Sequence, residues 1–547
     1  MKVLFLGNIM KKLLYILIIL VLPIIGKACT DIVVGKKASK DGSIMVSHTG
    51  CGPDCRVHVI HGRKYKEGEM TPVYYGLQDA SKPFGTYGKI IGYIPQARET
   101  YTYFHSAYSH MNEFQLSIAE STLSQRKEMQ FGIEDNPKQI MTIEQAQAFA
   151  LQRCKTAREA LKLITSLVEK YGFLPSCGPE SESLCIADKN EVWILEVFSV
   201  GKDWSPKSGK LGAIWAAQRV PDDHVAIIPN WSVIKEIREG DSNFMYSSNY
   251  KQVAIDMGWY NPSSGRPFNW QKAYSPIPRE WAMGRFWLFF KTFAPYLKDL
   301  PDRSLKNAFA GMDPYHQFVE DIDMYPFSIK PSEKVSVKDI IAFQRSTFEG
   351  TIYDMTADPD WYVPSADGKL IKSPLTTPFP SKDLRELLDI NYRRNVSKGG
   401  YGMVCQIRNW LPDAIGGIYW FYVDNQYVST YVPIYAGVQN IADCYKHYNP
   451  NKFERNSIRW SVDFVDNLMG LRWQEAVKDL RAVRDPLENS FFDNQEMVDK
   501  RAYKLYTKSP RKAKKYLTDL THKRMNQVMK MYNDLRFELI TKYTNNN

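Results

Sequence analysis

Ala28-Cys29-Thr30-Asp31-Ile32-Val33-Val34-Gly35-Lys36-Lys37-Ala38-Ser39-Lys40-Asp41-Gly42-Ser43-Ile44-Met45-Val46 is where this chain begins to read as folded protein. Thr30 to Val34 is β-branched and apolar around one aspartate, Lys40-Asp41-Gly42-Ser43 has turn chemistry, and Ile44-Met45-Val46 resumes an apolar strand. The preceding residues differ in kind. Met1 to Lys12 carries Lys2, Lys11 and Lys12 without an acid, and Leu13 to Ile25 is an apolar run interrupted only by Pro23. Gly26-Lys27-Ala28 then puts small residues at −3 and −1 of a cut after Ala28. The run is too short to favour a membrane-spanning helix. Residues 1–28 are therefore expected to be a signal peptide, and the mature chain to begin at Cys29. The protein is expected to be exported, to a periplasm rather than to the medium, with no stable membrane insertion once the signal is removed.

Downstream, strand-like segments recur at Val57 to Ile60, Lys89 to Ile94, Gln115 to Ala119, Leu184 to Ile186, Val192 to Phe198 and Val225 to Pro229. Between them, Thr142 to Tyr171 carries apolar residues at helical spacing. Strands in hairpins, interrupted by a helix pair, predict an α+β layered fold rather than alternating βαβ units. A helix is expected from Trp281 to Tyr296, a β-rich stretch from Gly402 to Ala436, and helix from about Ser457 to Lys542.

The 547 residues are 44% hydrophobic and 24% charged, which excludes a disordered or collagen-like chain. Loss of residues 1–28 removes four lysines and no acid, lowering the formal net charge from +11 to +7. Spread over so long a chain, that excess points away from nucleic acid, and the basic cluster between Lys500 and Lys515 reads as a solvated helix face. There is no Gly-x-Ser-x-Gly elbow, no His-Glu-x-x-His, no P-loop and no dinucleotide fingerprint, and no pair of the nine histidines has metal-ligand spacing. In an oxidising compartment the eight cysteines invite disulfides, with Cys51–Cys55 and Cys177–Cys185 adjacent enough to pair.

Signal cleavage leaves Cys29 as the first residue, and that has two chemical meanings. A lipoprotein cysteine is acylated, but that processing favours Leu at −3, where this chain has Gly26. An N-terminal nucleophile instead attacks an amide carbonyl through its thiolate, while its own α-amine carries the proton. With an α-amino pKa of about 7.7–8.0 and a thiol pKa of about 8.5, the two groups are matched near neutral pH.

The residues after Cys29 favour the second meaning. Cys29-Thr30-x-x-Val33-x-Gly35-Lys36-x-Ala38-x-x-Asp41-Gly42-Ser43 resembles the opening of the C69 family of dipeptidases, a branch of the N-terminal nucleophile hydrolases. The resemblance continues through Met111-Asn112-Glu113, Ala119-Glu120-Ser121, Thr156-Ala157-Arg158-Glu159-Ala160, Ile186-Ala187-Asp188, Arg219-Val220-Pro221-Asp222-Asp223, Val432-Pro433-x-Tyr435-Ala436-Gly437 and Asp485-Pro486-Leu487-Glu488. These blocks keep family order across nearly the whole mature chain. The resemblance implies a four-layer αββα sandwich over residues 29–450, with a helical region, 451–547, packed on the same domain. It implies hydrolysis of short peptides by Cys29 without a cofactor or metal; the oligomeric state, including a homo-oligomer, is left open.

It also implies supporting residues. Asn230 falls where related hydrolases place an oxyanion-hole amide, and a backbone N–H near Ser121 or Thr122 is the second donor. Asn112 fixes the strand that leads there. Many relatives carry an Arg and then an Asp after the second strand, whereas this chain reads Ser47-His48-Thr49-Gly50-Cys51-Gly52-Pro53-Asp54-Cys55-Arg56. His48 takes the Arg position, and Asp54 and Arg56 are expected to supply the missing charges toward the substrate's ammonium and carboxylate; a surface loop stapled by Cys51–Cys55 is the plainer alternative. Arg279 is a further support candidate. Asp222-Asp223 reads as a turn with solvated acids, with calcium as the rival. Two functional rivals are a non-peptide amidase on the same fold and a Cys29-acylated binding lipoprotein.

Overall fold

The computed structural model describes residues 29–545, apart from positions 51, 53, 78, 85–87, 277–279, 298–324, 352, 391–395 and 397. Its strands, in chain order, are β1 (Thr30–Val34), β2 (Ile44–Gly50), β3 (His58–Ile60), β4 (Met70–Tyr75), β5 (Lys89–Pro95), β6 (Tyr103–His105), β7 (Ser109–Asn112), β8 (Ser117–Leu123), β9 (Ser181–Ala187), β10 (Val192–Phe198), β11 (Ile214–Val220), β12 (Val225–Ile228), β13 (Phe244–Tyr246), β14 (Tyr362–Pro364), β15 (Leu370–Lys372), β16 (Tyr401–Ile407), β17 (Gly417–Val423) and β18 (Val432–Tyr435). Together with the helices they make a mixed α+β protein. One sheet has the order β12-β1-β2-β16-β17-β18 and the other β13-β11-β10-β9-β8-β7-β6-β3. Hairpins β4–β5 and β14–β15 stand apart from both.

All residues of β1, β2, β8, β9, β10, β16 and β17 are buried. Their sequences lack the in–out alternation of a half-exposed strand because both faces are covered. β1 and β2 lie against β8 and β9 of the opposite sheet, and the helix Val337–Gln344 lies against β2 and β16. The helices Ile143–Arg153 and Ala157–Tyr171 cover β6, β7, β9 and β10. The expected break between them is made by Thr156 and Glu159, whose reciprocal capping box starts the second helix. At the C-terminal end, helices Ile458–Met469, Trp473–Asp493, Gln495–Lys508 and Pro510–Tyr543 pack on one another and on β17 and β18.

Two of the quoted motifs acquire a physical reason. Gly35 follows β1 where the backbone carbonyl of Asp222 approaches so closely that a Cβ would collide with it, and Asp222 O accepts from Lys37 N at 2.8 Å. Glu488, buried in the second half of its helix, accepts from both Nη atoms of Arg345 at 2.7–2.8 Å and from Tyr431 N at 2.8 Å. That carboxylate ties the C-terminal helices to the strand region before β18. No disulfide joins the described cysteines; Cys185 is buried in β9, and Cys177 Sγ lies 2.8 Å from Tyr108 Oη.

Candidate active site

The sheet register builds the site. β1 pairs with β12 through Asp31↔Ile228 and with β2 through Thr30↔Thr49 and Asp31↔His48. Extended toward the chain start, the same registers bring Cys29 level with Asn230 on one side and Gly50 on the other. Gly50 is in turn paired with Tyr401 of β16. Since side chains alternate along a strand and cross-strand partners share a face, Cys29, Asp31 and His48 project together. Gly50 belongs to that face as well, and has to lack a side chain: a Cβ there would stand 2.5 Å from His48 Nε2. Cys29 itself is 95% buried, being 5% exposed.

Arg285, from the helix Glu280–Phe293, is the buried clamp of this corner. Its Nη1 donates to the carbonyl of Cys29 and to Thr30 Oγ1, the latter at 2.5 Å. Its Nη2 donates to Pro229 O at 3.1 Å and Asn230 Oδ1 at 3.0 Å. One guanidinium therefore fixes both the peptide group of Cys29 and the two residues that follow β12. Asn230 is held at φ +68°, a left-handed conformation uncommon for a residue other than glycine. Its Nδ2 donates to Thr122 O at 2.9 Å and, more weakly, to Ser121 Oγ at 3.4 Å, while its backbone N–H donates to Ser121 Oγ at 3.3 Å. Ser121, Thr122 and Asn230 thus form one connected group beside Cys29.

A second group completes the corner. His48 is fully buried, with Nδ1 2.9 Å from Asp31 Oδ1. Burial brings the imidazole down to about 4, against the opposing pull of Glu120. Burial also pushes the Asp31 carboxyl well above the ordinary range, and Glu120 adds to it. Charge is disfavoured on both partners, so the contact is a buried hydrogen bond in character more than an ion pair. Glu120, on β8, brings a carboxylate oxygen, the Cys29 thiol and a His48 nitrogen all within 4.8 Å of one another. The same Glu120 lies within 4.8 Å of a second trio completed by Cys177 and Glu182. Around His48 stand His110 and Tyr401, with ring centroids 4.9 and 5.6 Å away, and His110 Nε2 lies 3.3 Å from Tyr401 Oη.

The other expected residues are placed elsewhere. Asn112 donates from Nδ2 to the carbonyls of Leu151 and Cys154 at 2.9 and 2.8 Å and accepts at Oδ1 from Phe114 N and Leu116 N, so it holds the β7–β8 turn against the C-terminal end of the helix Ile143–Arg153. Asp54 and Arg56 do not stand open to a substrate. Both are buried, and Asp54 takes Arg56 Nε at 2.8 Å and Nη2 at 2.7 Å, each group neutralising the other. Nor is the segment a surface loop: Asp54, Cys55 and Arg56 are all buried, and Cys51 lies outside the described residues. Arg279 also lies outside them. Asp222 is bridged by Lys36 at 3.2 Å and Arg219 at 2.6 Å, so its charge is met by cations of the chain itself.

Sequence reasoning missed Arg285, Asp31, Glu120 and Glu182. The signal for Arg285 was available: it is the one charge in Ala282-Met283-Gly284-Arg285-Phe286-Trp287-Leu288-Phe289-Phe290, and a charge in so apolar a helix requires buried partners. Glu120 offered the same sign within the strand Ser117–Leu123.

The family model of peptidase family C69 matches residues 28–485. The chain is 23% identical over 448 residues to a probable dipeptidase of Latilactobacillus sakei, covering 79% of each chain. It is 24% identical over 446 residues to dipeptidase A of Lactobacillus helveticus, covering 79% of this chain and 80% of that one. A probable dipeptidase B of Streptococcus pyogenes serotype M1 is 21% identical over 526 residues, covering 94% of this chain and 93% of its own.

Proposed function

The chain belongs to peptidase family C69 and is a hydrolase of peptide bonds, and from that premise we propose that it is an exported dipeptidase whose nucleophile is the N-terminal Cys29. The observation that carries this reading is the convergence on Cys29: its carbonyl is clamped by Arg285, its thiol lies within 4.8 Å of His48 and Glu120, and Asn230 is its neighbour by register. The two facing sheets with helices against each are read as the αββα sandwich of N-terminal nucleophile hydrolases over residues 29–450. Helices of 451–547 belong to the same body, and 1–28 is the exporting signal.

While residues 1–28 are attached, the nitrogen of Cys29 is an amide and cannot accept a proton. Cleavage after Ala28 turns it into an amine. The amine takes the thiol proton, the thiolate attacks the scissile carbonyl, and the proton passes to the leaving amine as the thioester forms. Water then attacks the thioester, its proton returns through the same amine, and the acid leaves. Oxyanion stabilisation falls to Asn230 Nδ2, whose 3.4 Å contact with Ser121 is the weaker and is given up when the oxyanion arrives. Arg285 orients and Asp31 steadies His48, which walls the site without carrying charge. Names of the relatives, all dipeptidases, support the substrate class.

The test is intact-mass and N-terminal analysis of the purified mature protein, with dipeptide turnover measured on the same sample and on Cys29→Ala. A free amine on Cys29 and turnover abolished by the substitution are expected. Acylated Cys29, or turnover that survives Cys29→Ala, would sink the mechanism.

A further inference from the structure

Beside the nucleophile lies a buried acidic pair that the mechanism does not use. Glu182, on β9, is fully enclosed, and no N–H or hydroxyl donor among the described residues reaches either of its carboxylate oxygens. No such donor reaches the buried Glu120 Oε2 either, and Oε1 receives only a 3.3 Å contact from Thr122 Oγ1. Burial first, then the neighbouring acids Cys177, Glu120 and Glu144 and a hydrogen bond shared with Glu120, raise the Glu182 carboxyl well above the ordinary range. Two buried carboxyls that share a proton and take little from the donors of the chain make a place where an incoming cation would replace that proton.

Resting on the dipeptidase reading, we infer that Glu120 and Glu182 form the subsite for the free α-ammonium of the substrate's first residue. The distances suit that cation. In an amino-terminal residue the ammonium nitrogen is two bonds from the scissile carbonyl carbon, about 2.5 Å away. Glu120 lies within 4.8 Å of the Cys29 thiol on one side and of Glu182 on the other. An ammonium held between the carboxylates therefore brings the adjoining carbonyl to the thiol, with about 3 Å left for attack. A peptide with a further residue on its amino side has an uncharged amide here, and the pair receives no cation. The pair thus measures one residue from the amino end, which makes the enzyme a reader of termini more than of side chains.

The experiment compares alanyl-alanine with propionyl-alanine, which lacks only the amine, on the mature wild type and on Glu182→Gln. Wild type should prefer alanyl-alanine on the order of 10²-fold or more in kcat/KM, the discrimination typical of a site that leaves its own polar groups unpaired with the wrong ligand. In Glu182→Gln the preference should shrink at least tenfold, chiefly through a higher KM for alanyl-alanine. Equal use of both compounds by wild type would overturn the inference. A folded Glu182→Gln with undiminished preference would overturn it too, as would a wild-type preference that disappears on chelation, which would assign the place to a metal ion. Should Glu182→Gln fail to fold, Glu120→Gln is read by the same ratio. Turnover of neither compound defeats the dipeptidase reading first. The subsite is then decided by calorimetry on Cys29→Ala, where alanyl-alanine binding no tighter than propionyl-alanine refutes it.

Discussion

Replacing Arg285 with methionine keeps an unbranched apolar stem and removes the guanidinium with its charge and its donors. Four acceptors lose their partner: the carbonyls of Cys29 and Pro229, Thr30 Oγ1 and Asn230 Oδ1. Hydrogen bonds to a charged group contribute about 1.5–3 kcal/mol each, so a naive total would be about 6–12 kcal/mol. Members of one network are not additive, and removing one side of a buried polar contact typically costs about 3–5 kcal/mol. The lower range is the expected loss of stability, and it includes support for Asn230 at φ +68°. A displacement of the nucleophile by about 1 Å costs about 10²-fold in turnover. Urea unfolding followed by tryptophan fluorescence, with steady-state dipeptide hydrolysis on the folded protein, measures both. Arg285→Lys should fall between, since one ammonium cannot reach four acceptors in the fork geometry. A methionine variant within about 1 kcal/mol of wild type and within threefold in turnover would show that the clamp is not what positions Cys29.

Three other outcomes are expected. Cys29→Ser should retain folding and lose at least about 10²-fold in turnover, and a chain prevented from losing residues 1–28 should be as inactive, because its Cys29 has no amine; full activity of that precursor would exclude the α-amine as base. The His48 ring should stay neutral from pH 8 to pH 5 and titrate near 4 by NMR. Its folded pKa lies below the unfolded value of 6.5, so its stabilising contribution is full above pH 6.5 and is lost as pH falls toward 4; a midpoint near 6.5 would mean the ring is hydrated. Gly50→Ala should destabilise by about 1–3 kcal/mol and reduce turnover, because its Cβ meets His48 Nε2; unchanged unfolding and kinetics would place His48 outside the working site.

Much of the sheet scaffold was legible because local pattern and tertiary demand agree there. Thr30 to Val34, Ile44 to Val46 and Val192 to Phe198 are apolar runs of strand length, and each is a strand. In the proposed site Cys29 was legible by its position and Asn230, Ser121, Thr122 and His48 through the family resemblance, and the structure gathers these five. Asp54 and Arg56 show the limit. Two opposite charges two residues apart can face a ligand or each other, and only the fold shows that Arg56 turns back onto Asp54. Arg285 and Glu120 come to Cys29 from positions 256 and 91 residues away along the chain, and no local spacing encodes such a meeting. Cys177 and Cys185 were adjacent enough in sequence to suggest a bond, yet one sits by Tyr108 and the other within β9.

The order of strands in the first sheet has a consequence for how the chain is made. β1 lies between β2 and β12, and β2 lies between β1 and β16, so the first strands to be synthesised are walled in by residues 225–228 and 401–407. The amino-terminal hairpin therefore has only itself to pair with until residues 225–228 exist, its other edge stays open until residues 401–407 are made, and pairings so distant in sequence form slowly. A central sheet that cannot close early leaves the chain extended for longer, which would suit the proposed export. The sequence-distant groups around Cys29 arrive in stages, Glu120 first, then Asn230 and then Arg285, and the sheet that holds them is finished only when β16, β17 and β18 follow.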